Sequence, residues 1–272
     1  MTGDPGRARA AAPHAGTTAR ETTLAVRVLR IVRLALHLGR GLLIAGLVFP
    51  RVTDAQRQAH IRRWSRELLA ILSVRLHVER ASESLPQRAM LVANHVSWVD
   101  IFVIDAVMPT RFVAKSEVAR WPLVGWLSTR AGTLYLSRAR RRDTARINRD
   151  VRTALERGEL VGVFPEGTTT DGSRLLKFHS SLLEPAVSQQ AAIVPVALSY
   201  WKSDGERCTE LAYDAHWTLW QTVRRMVRVA DIRCTITLLP ALDAQRHRRE
   251  LASAAHHAIA EALHAAAQRQ GH

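Results

Sequence analysis

Short apolar runs that alternate with helical segments set the strongest limit on how this chain folds. After Pro86, six runs have the composition of buried β-strands: 90–94, 111–115, 132–136, 160–164, 192–198 and 234–239. Helical patterns lie between them, at 98–108, 122–130, 141–157 and 181–189. Strands that alternate with helices build parallel sheets that the helices cover. The sequence therefore predicts an α/β fold with a central, largely parallel sheet flanked by helices.

The segments on either side of this region have different compositions. Residues 1–22 are rich in Ala, Gly, Pro and Thr without an apolar period, which predicts a flexible tail, and they lack the apolar core of a secretory signal. Residues 23–85 predict a helical segment of two helices, the second over 54–72. We expect the α/β domain over 86–240 and a C-terminal helix within 241–272.

The first predicted helix has a composition suited to a membrane surface. Arg27, Arg30 and Arg33 recur every third residue and share one side, while apolar residues occupy another: Leu24, Val28, Ile31, Leu34 and Leu38. Its longest uncharged run, 41–50, is shorter than the ~20 residues that cross a bilayer. This pattern predicts a helix in the membrane interface with its arginines at anionic headgroups. A soluble helix packed on its own domain is the alternative.

A strong positive charge narrows the choice of partners. The chain has 39 basic and 24 acidic residues, a net charge of +15, and its only lysines are Lys115, Lys177 and Lys202. Nucleic acid, an anionic membrane and phosphorylated small molecules all fit this excess. The arginines are spread along the whole chain, and we find no helix-turn-helix, zinc-finger or ribonucleoprotein motif, so we expect no nucleic-acid partner. Cys208 and Cys234 form no CxxC pair, which predicts buried, reduced thiols.

The first cluster with chemical potential follows the strand at 90–94. His95 comes directly after this strand, where α/β sheets place their sites. Ser97 is predicted as the N-cap of the next helix, which puts Asp100 in the first helical turn. A carboxylate bonded to one ring nitrogen makes the other nitrogen a general base for a hydroxyl. The spacing also fits a His and an Asp that only cap a helix.

A second cluster follows the strands at 132–136 and 160–164. Glu166 stands at a strand end, where its carboxylate can accept hydrogen bonds from a polyol, and Gly167 permits a tight turn. Thr168 adds a hydroxyl able to meet a phosphate or glycerol oxygen, although an ordinary β-turn is the alternative. Arg138 can hold a phosphate through a bidentate contact.

Taken in order, these blocks resemble the glycerolipid acyltransferase family. The blocks are Asn94-His95-x4-Asp100, Gly132-x5-Arg138, Phe-Pro-Glu-Gly-Thr at 164–168 and Val-Pro-Val at 194–196. Their order and intervals are similar to those of bacterial 1-acyl-sn-glycerol-3-phosphate acyltransferases, over roughly residues 35–240.

The resemblance implies an activity and a role for each residue. His95 would be the general base on the acceptor hydroxyl and Asp100 its orienting partner. The residues that bind the phosphate and glycerol of the acceptor would be Arg138, Glu166, Gly167 and Thr168. The acyl donor would be acyl-CoA or acyl carrier protein, and transfer would be direct, without a metal ion or a cofactor. The product would be phosphatidic acid for phospholipid biosynthesis.

The resemblance also implies a location and leaves the acceptor open. We expect the chain on the cytoplasmic face of the inner membrane, monotopic or anchored by its N-terminal helices, with anionic lipid as a partner. Residues 178–182 resemble the branch that includes lyso-ornithine lipid acyltransferases, so that acceptor is an alternative. A hydrolase of the same α/β class is a further alternative, and a basic nucleic-acid-binding protein is a distant one.

Overall fold

Seven strands form one layer at the centre of the molecule. The computed structural model describes residues 21–81, 86, 88–136, 141–213, 217–243 and 245–270, with only the backbone for 141–145. The strands are β1 (Val74–Arg80), β2 (Ala89–Ala93), β3 (Arg111–Lys115), β4 (Leu134–Leu136), β5 (Val161–Val163), β6 (Ala192–Lys202) and β7 (Ile232–Leu238). Their order across the sheet is β1-β7-β6-β2-β5-β3-β4.

Strand directions confirm the predicted sheet. Strands β6, β2, β5, β3 and β4 run parallel to one another. Strand β7 is antiparallel to β6, and β1 is parallel to β7, so the last two strands on one side run in the opposite direction. The carboxyl ends of β2, β3, β5 and β6 and the amino ends of β1 and β7 therefore lie along one edge, which we call the carboxyl edge.

Eight α-helices accompany the sheet in the part of the chain that the structure describes. They are α1 (Leu24–Leu43), α2 (Asp54–Ile71), α3 (Val99–Val107), α4 (Val124–Ala131), α5 (Arg141–Glu156), α6 (Glu184–Ser188), α7 (Leu219–Met226) and α8 (Arg248–Gln270). The predicted helix at 181–189 consists of a 3-10 turn followed by α6. Helix α7 has no counterpart in the sequence prediction.

The hydrophobic core forms two layers because neighbouring residues of a strand point to opposite faces. On one face, Leu91 of β2 and Val194 of β6 pack with residues of α2 and α3. On the other face, Met90 and Ile193 pack with residues of α5 and α8. Helices thus cover both faces of the sheet, as the α/β prediction requires.

Strand β1 lies inside the range for which the sequence predicts only helices. Val74, Leu76 and Val78 alternate with the polar residues Arg75 and His77, so the strand has one apolar and one polar face. It pairs with β7 alone and is the edge strand of the sheet. An edge strand with one solvated face has no continuous apolar run. The alternation of apolar and polar residues was the sequence signal that could have predicted this strand.

The first helix is long and apolar, whereas the second packs on the domain. Helix α1 starts after Thr23, whose hydroxyl accepts from the Val26 N–H, and helical turns continue to Arg51. By length and composition, the helix Leu24–Arg51 is sufficient to cross a membrane. Helix α2 buries Leu68 and Leu69 in the core, so a membrane role for this second helix is not confirmed.

The outward face of α1 differs from the predicted one at Arg30. Arg30 is buried, and its guanidinium donates to the carbonyl oxygens of Val227 and Val229 at 3.2 and 2.6 Å and to Ser73 Oγ. These carbonyls lie in a turn and satisfy the buried cation, so the prediction that Arg30 reaches toward headgroups is wrong. Arg33 and Arg40 are exposed, and the large apolar residues that α1 exposes are Leu24, Val26, Val28, Leu29, Val32, Leu36 and Leu43.

Candidate active site

The loop that carries the first cluster is fixed to the neighbouring strand by Asn94. Its side-chain amide donates to the carbonyl oxygen of Leu198 at 3.0 Å, and its side-chain oxygen accepts from the Leu198 N–H at 2.8 Å. Asn94 is buried at the end of β2, and Leu198 belongs to β6. This two-way bond continues the pairing of the two strands past the end of β2 and sets the starting point of the loop.

His95 and Asp100 meet at the carboxyl edge of the sheet. The Nδ1 atom of His95 lies 2.8 Å from Oδ2 of Asp100, in the first turn of α3. The same oxygen accepts from the backbone N–H groups of Val96 and Ser97 at 2.7 and 2.9 Å. A fixed carboxylate on Nδ1 holds one tautomer of the ring, the one that leaves Nε2 as a base. Nε2 has no hydrogen-bond partner among the described residues, and the side chain is 20% exposed.

The predicted N-cap at Ser97 is wrong. Trp98 occupies the cap position, and the Ser97 hydroxyl is buried without a hydrogen-bond partner in the described part of the chain. Asp100 folds back and satisfies the free N–H groups of the loop instead. One carboxylate therefore both shapes the loop and orients the imidazole.

Tyr200 is a member of this cluster that sequence reasoning missed. Its hydroxyl donates to Oδ1 of Asp100 at 2.6 Å, from near the carboxyl end of β6. Asp100 is fully buried, so this bond satisfies the oxygen that faces away from His95. Burial, reinforced by the charge of Asp100, raises the pKa of Tyr200 well above its ordinary value, which keeps the hydroxyl a donor. A tyrosine in an apolar strand 100 residues away gives no local sequence signal.

An aromatic ring supports the other side of the imidazole. Phe164, next to the end of β5, stacks on His95 with ring centroids 4.0 Å apart and an interplanar angle of 14°. Phe112 of β3 stacks in turn on Phe164 at 5.7 Å. Neighbouring parallel strands thus supply the contacts that restrict rotation of the His95 ring.

Glu166 joins two loops at the same edge. Its Oε1 accepts from the backbone N–H of His95 at 2.8 Å, and its Oε2 accepts from the N–H of Leu176 at 2.9 Å. The residue is buried, and burial raises the pKa of its carboxyl, although the N–H bonds from Leu176 and His95 oppose that effect. The Thr170 N–H also donates to the His95 carbonyl oxygen at 2.9 Å. The segment after β5 therefore holds the backbone of His95 from both sides.

Comparison with known proteins gives this geometry a family. The acyltransferase family model matches residues 75–199. The lyso-ornithine lipid O-acyltransferase of Pseudomonas aeruginosa is 38% identical over 209 residues, which cover 76% of this chain and 79% of that protein. The chain belongs to the glycerolipid acyltransferase family.

Two other comparisons agree with the family. The 1-acyl-sn-glycerol-3-phosphate acyltransferase of Neisseria meningitidis is 40% identical over 148 residues, or 54% of this chain and 58% of that protein. The chain thus spans little more than half the length of this relative. The crystal structure of the 1-acyl-sn-glycerophosphate acyltransferase PlsC from Thermotoga maritima superposes with a TM-score of 0.67, covers 89% of this chain and 94% of its own, and is 22% identical. That likeness concerns the fold.

The family's third block contributes a turn and one exposed threonine. Gly167 has a φ of +70°, a region that favours glycine, and its N–H donates to the Phe164 carbonyl oxygen at 3.1 Å. Thr168 is exposed, whereas the hydroxyls of Thr169 and Thr170 bond to backbone carbonyls. Glu166 is 4% exposed and both of its oxygens accept from backbone N–H groups, so the structure favours a positioning role for Glu166 over the acceptor contact that the family resemblance implies.

Further sequence predictions concern a phosphate ligand and the two cysteines. Arg138, the predicted phosphate ligand, lies outside the described residues. Among the described residues, no group of three or more His, Cys, Asp or Glu side chains is arranged to hold a metal ion. Cys208 and Cys234 are buried free thiols, as predicted, and burial raises the pKa of Cys208 to about 12.

Proposed function

We propose that this chain transfers an acyl group from a thioester donor to the free hydroxyl of a lysolipid, with His95 as the general base. The observation that carries the proposal is the buried Asp100 carboxylate 2.8 Å from Nδ1 of His95, which leaves Nε2 without a partner in the described structure. This arrangement suits removal of a hydroxyl proton. Family membership supports acyl transfer as the chemistry.

The proposed reaction is a direct transfer. Nε2 of His95 accepts the proton of the acceptor hydroxyl while that oxygen attacks the thioester carbonyl carbon. The tetrahedral intermediate then expels the sulfur, and the imidazolium returns the proton to the leaving thiolate. Asp100 stabilises the transient imidazolium, and Tyr200 keeps Asp100 in place through Oδ1. The sequence places no Ser in a Gly-x-Ser-x-Gly turn, so no acyl-enzyme is part of the proposal.

Acceptor binding involves residues of the second and third blocks, but not Glu166. We propose that the acceptor headgroup binds to Arg138 and to Thr168, which follows the turn at Gly167. Glu166 instead positions the His95 loop, since its carboxylate bonds to the N–H groups of His95 and Leu176. We propose acyl-CoA or acyl carrier protein as the donor and no metal ion or cofactor.

For the acceptor, we propose 1-acyl-sn-glycerol 3-phosphate, with phosphatidic acid as the product. Lyso-ornithine lipid is the second candidate, because the P. aeruginosa relative named for that substrate aligns over 79% of its length. Purified full-length protein, given radiolabelled acyl thioester and each lysolipid in turn, tests the choice. Labelled phosphatidic acid supports the first acceptor and labelled ornithine lipid the second. Release of free fatty acid, without a diacylated product, would identify a hydrolase and contradict the proposal.

We further propose that the chain works at the cytoplasmic face of the inner membrane. The apolar outward face of α1 supports membrane association, because a helix in water would not expose so many leucines and valines. Deletion of residues 1–43 should lower the share of the protein in the membrane fraction. An unchanged share would show that α1 is not the anchor.

A further inference from the structure

The large apolar side chains that are exposed in the described part of the chain share one side of the molecule. Every large hydrophobic residue that is exposed in the described structure belongs to one of three segments. The first is α1 with the turn that follows it, from Leu24 to Leu47. The second is the start of α4, with Leu123 and Trp126, and the third is the start of α7, with Trp217 and Trp220.

All three segments lie at the carboxyl edge of the sheet, where His95 lies. Helix α4 follows the carboxyl end of β3, and α7 connects the end of β6 to the beginning of β7. Helix α1 extends along this edge: Arg30 bonds to the turn before β7, and Gly46 lies against the ring of Trp126. The N–H of Tyr213, shortly before α7, donates to the Val96 carbonyl oxygen at 3.1 Å and so connects this segment to the His95 loop.

Helix α7 and the residues next to its two ends present two indoles and two arginines outward. Thr222, Val223 and Met226 face the core, and the other side presents what we call the α7 patch: Trp217, Trp220, Arg224 and Arg228. Residues 217–230 contain three arginines and no acidic residue. Trp217 and Trp220 are 38% and 53% exposed. Indoles with basic neighbours on one helical face suit the headgroup region of an anionic bilayer.

We propose that the α7 patch is a second membrane contact, separate from α1. The two indoles of the patch lie among the headgroups of an anionic bilayer. The inference rests on the proposed function, since a lipid substrate would reach His95 from the same surface. A bilayer fits better than an acidic protein because the indoles share the carboxyl edge with the apolar face of α1, and a bilayer covers both at once. With α1, this patch would hold the carboxyl edge against the lipid.

Tryptophan quenching by bromine-labelled lipid tests the contact. Full-length protein is mixed with phosphatidylglycerol–phosphatidylethanolamine vesicles that contain brominated acyl chains, and the wild type is compared with the variant Trp217→Ser/Trp220→Ser. We expect the quenchable part of the fluorescence to fall in the variant, because two indoles in contact with lipid are removed. If α7 faces water, the quenchable part stays the same or rises, and the proposal is overturned. This readout works however tightly α1 anchors the chain.

Charge is tested separately with a matched control. At roughly 1 kcal/mol for each arginine near an anionic surface, Arg224→Gln/Arg228→Gln should partition onto the same vesicles up to about 30-fold more weakly. Arg80→Gln/Arg157→Gln removes the same charge from exposed arginines at the opposite edge of the sheet and should leave partitioning unchanged. Equal losses in both variants would indicate a general charge effect and contradict a local contact.

Acyl transfer to short-chain, monodisperse substrates separates the two proposals. The patch variants should retain wild-type transfer in this assay, because they do not touch His95 or Asp100. If the wild type shows no transfer, the proposed function fails while the quenching result still decides the membrane contact. If the patch variants keep quenching and partitioning but lose transfer from acyl carrier protein alone, the α7 patch binds that acidic protein and our proposal is wrong.

Discussion

The hydroxyl of Tyr200 is expected to matter for the rate although it contacts neither substrate. In Tyr200→Phe, Oδ1 of Asp100 loses its donor while the carboxylate stays buried. A hydrogen bond to a charged group contributes about 1.5–3 kcal/mol. If this amount is lost from the orientation of Asp100 in the transition state, kcat falls roughly 10- to 100-fold, because each ~1.4 kcal/mol is a factor of ten. KM should change little, since the hydroxyl does not face the substrate.

The assay is steady-state acyl transfer with the purified variant, together with thermal unfolding. Tyr135→Phe is the matched control, because the partners of the Tyr135 hydroxyl in the described structure are Ser128, Thr129 and the Gly125 carbonyl oxygen. That variant should lose stability without a comparable fall in kcat. A Tyr200→Phe variant with wild-type kcat would refute the argument that Asp100 depends on this bond, and so would a fall in kcat of equal size in the control.

Three further predictions concern buried polar groups. In Glu166→Gln, one of the two backbone N–H groups of His95 and Leu176 faces an amide donor. We therefore expect kcat to fall and the free energy of unfolding, measured in urea, to decrease by about 1–3 kcal/mol. A variant with wild-type kcat and wild-type stability would contradict the positioning role. Burial raises the pKa of Asp105 from 3.8 to about 8, so the folded state retains a proton that the unfolded chain releases, and stability falls as pH rises through this range. Asp105→Asn should reduce the loss of stability between pH 4 and 8, by at most ~1.4 kcal/mol for each pH unit, in a series of thermal unfolding curves. An unchanged dependence of stability on pH would contradict the role of Asp105. In Arg30→Met the Val229 carbonyl oxygen loses the guanidinium donor, while the Val227 carbonyl oxygen keeps the Thr22 hydroxyl, so limited proteolysis should cut between α1 and the domain faster than in wild type; equal rates would show that Arg30 does not hold the helix.

The sheet and the position of His95 could be predicted because local sequence carries them. The central strands are buried on both faces, so each is a continuous apolar run, and a polar residue directly after such a run falls at the carboxyl edge. The pairing of His95 with Asp100 also follows from spacing, since one helical turn brings the carboxylate back to the loop.

Features that depend on distant contacts could not be predicted. Tyr200 reaches Asp100 only because β6 pairs with β2, and Glu166 points inward because its loop meets the backbone of His95. The inward direction of Arg30 depends on a turn before β7 that supplies carbonyl oxygens. In each case the local sequence indicates a polar residue at a surface, and long-range packing decides which atoms it meets.

The central claim is that His95 removes the proton from the acceptor hydroxyl in a direct transfer. Single-turnover acyl transfer with His95→Ala, compared with wild type and with His77→Ala on the exposed side of β1, tests it most directly. We predict a loss of at least ~10²-fold for His95→Ala, the contribution of one general base, with no labelled acyl-enzyme in any sample and no change for His77→Ala. An undiminished rate in His95→Ala, or labelled acyl-enzyme in the wild type, would contradict the account.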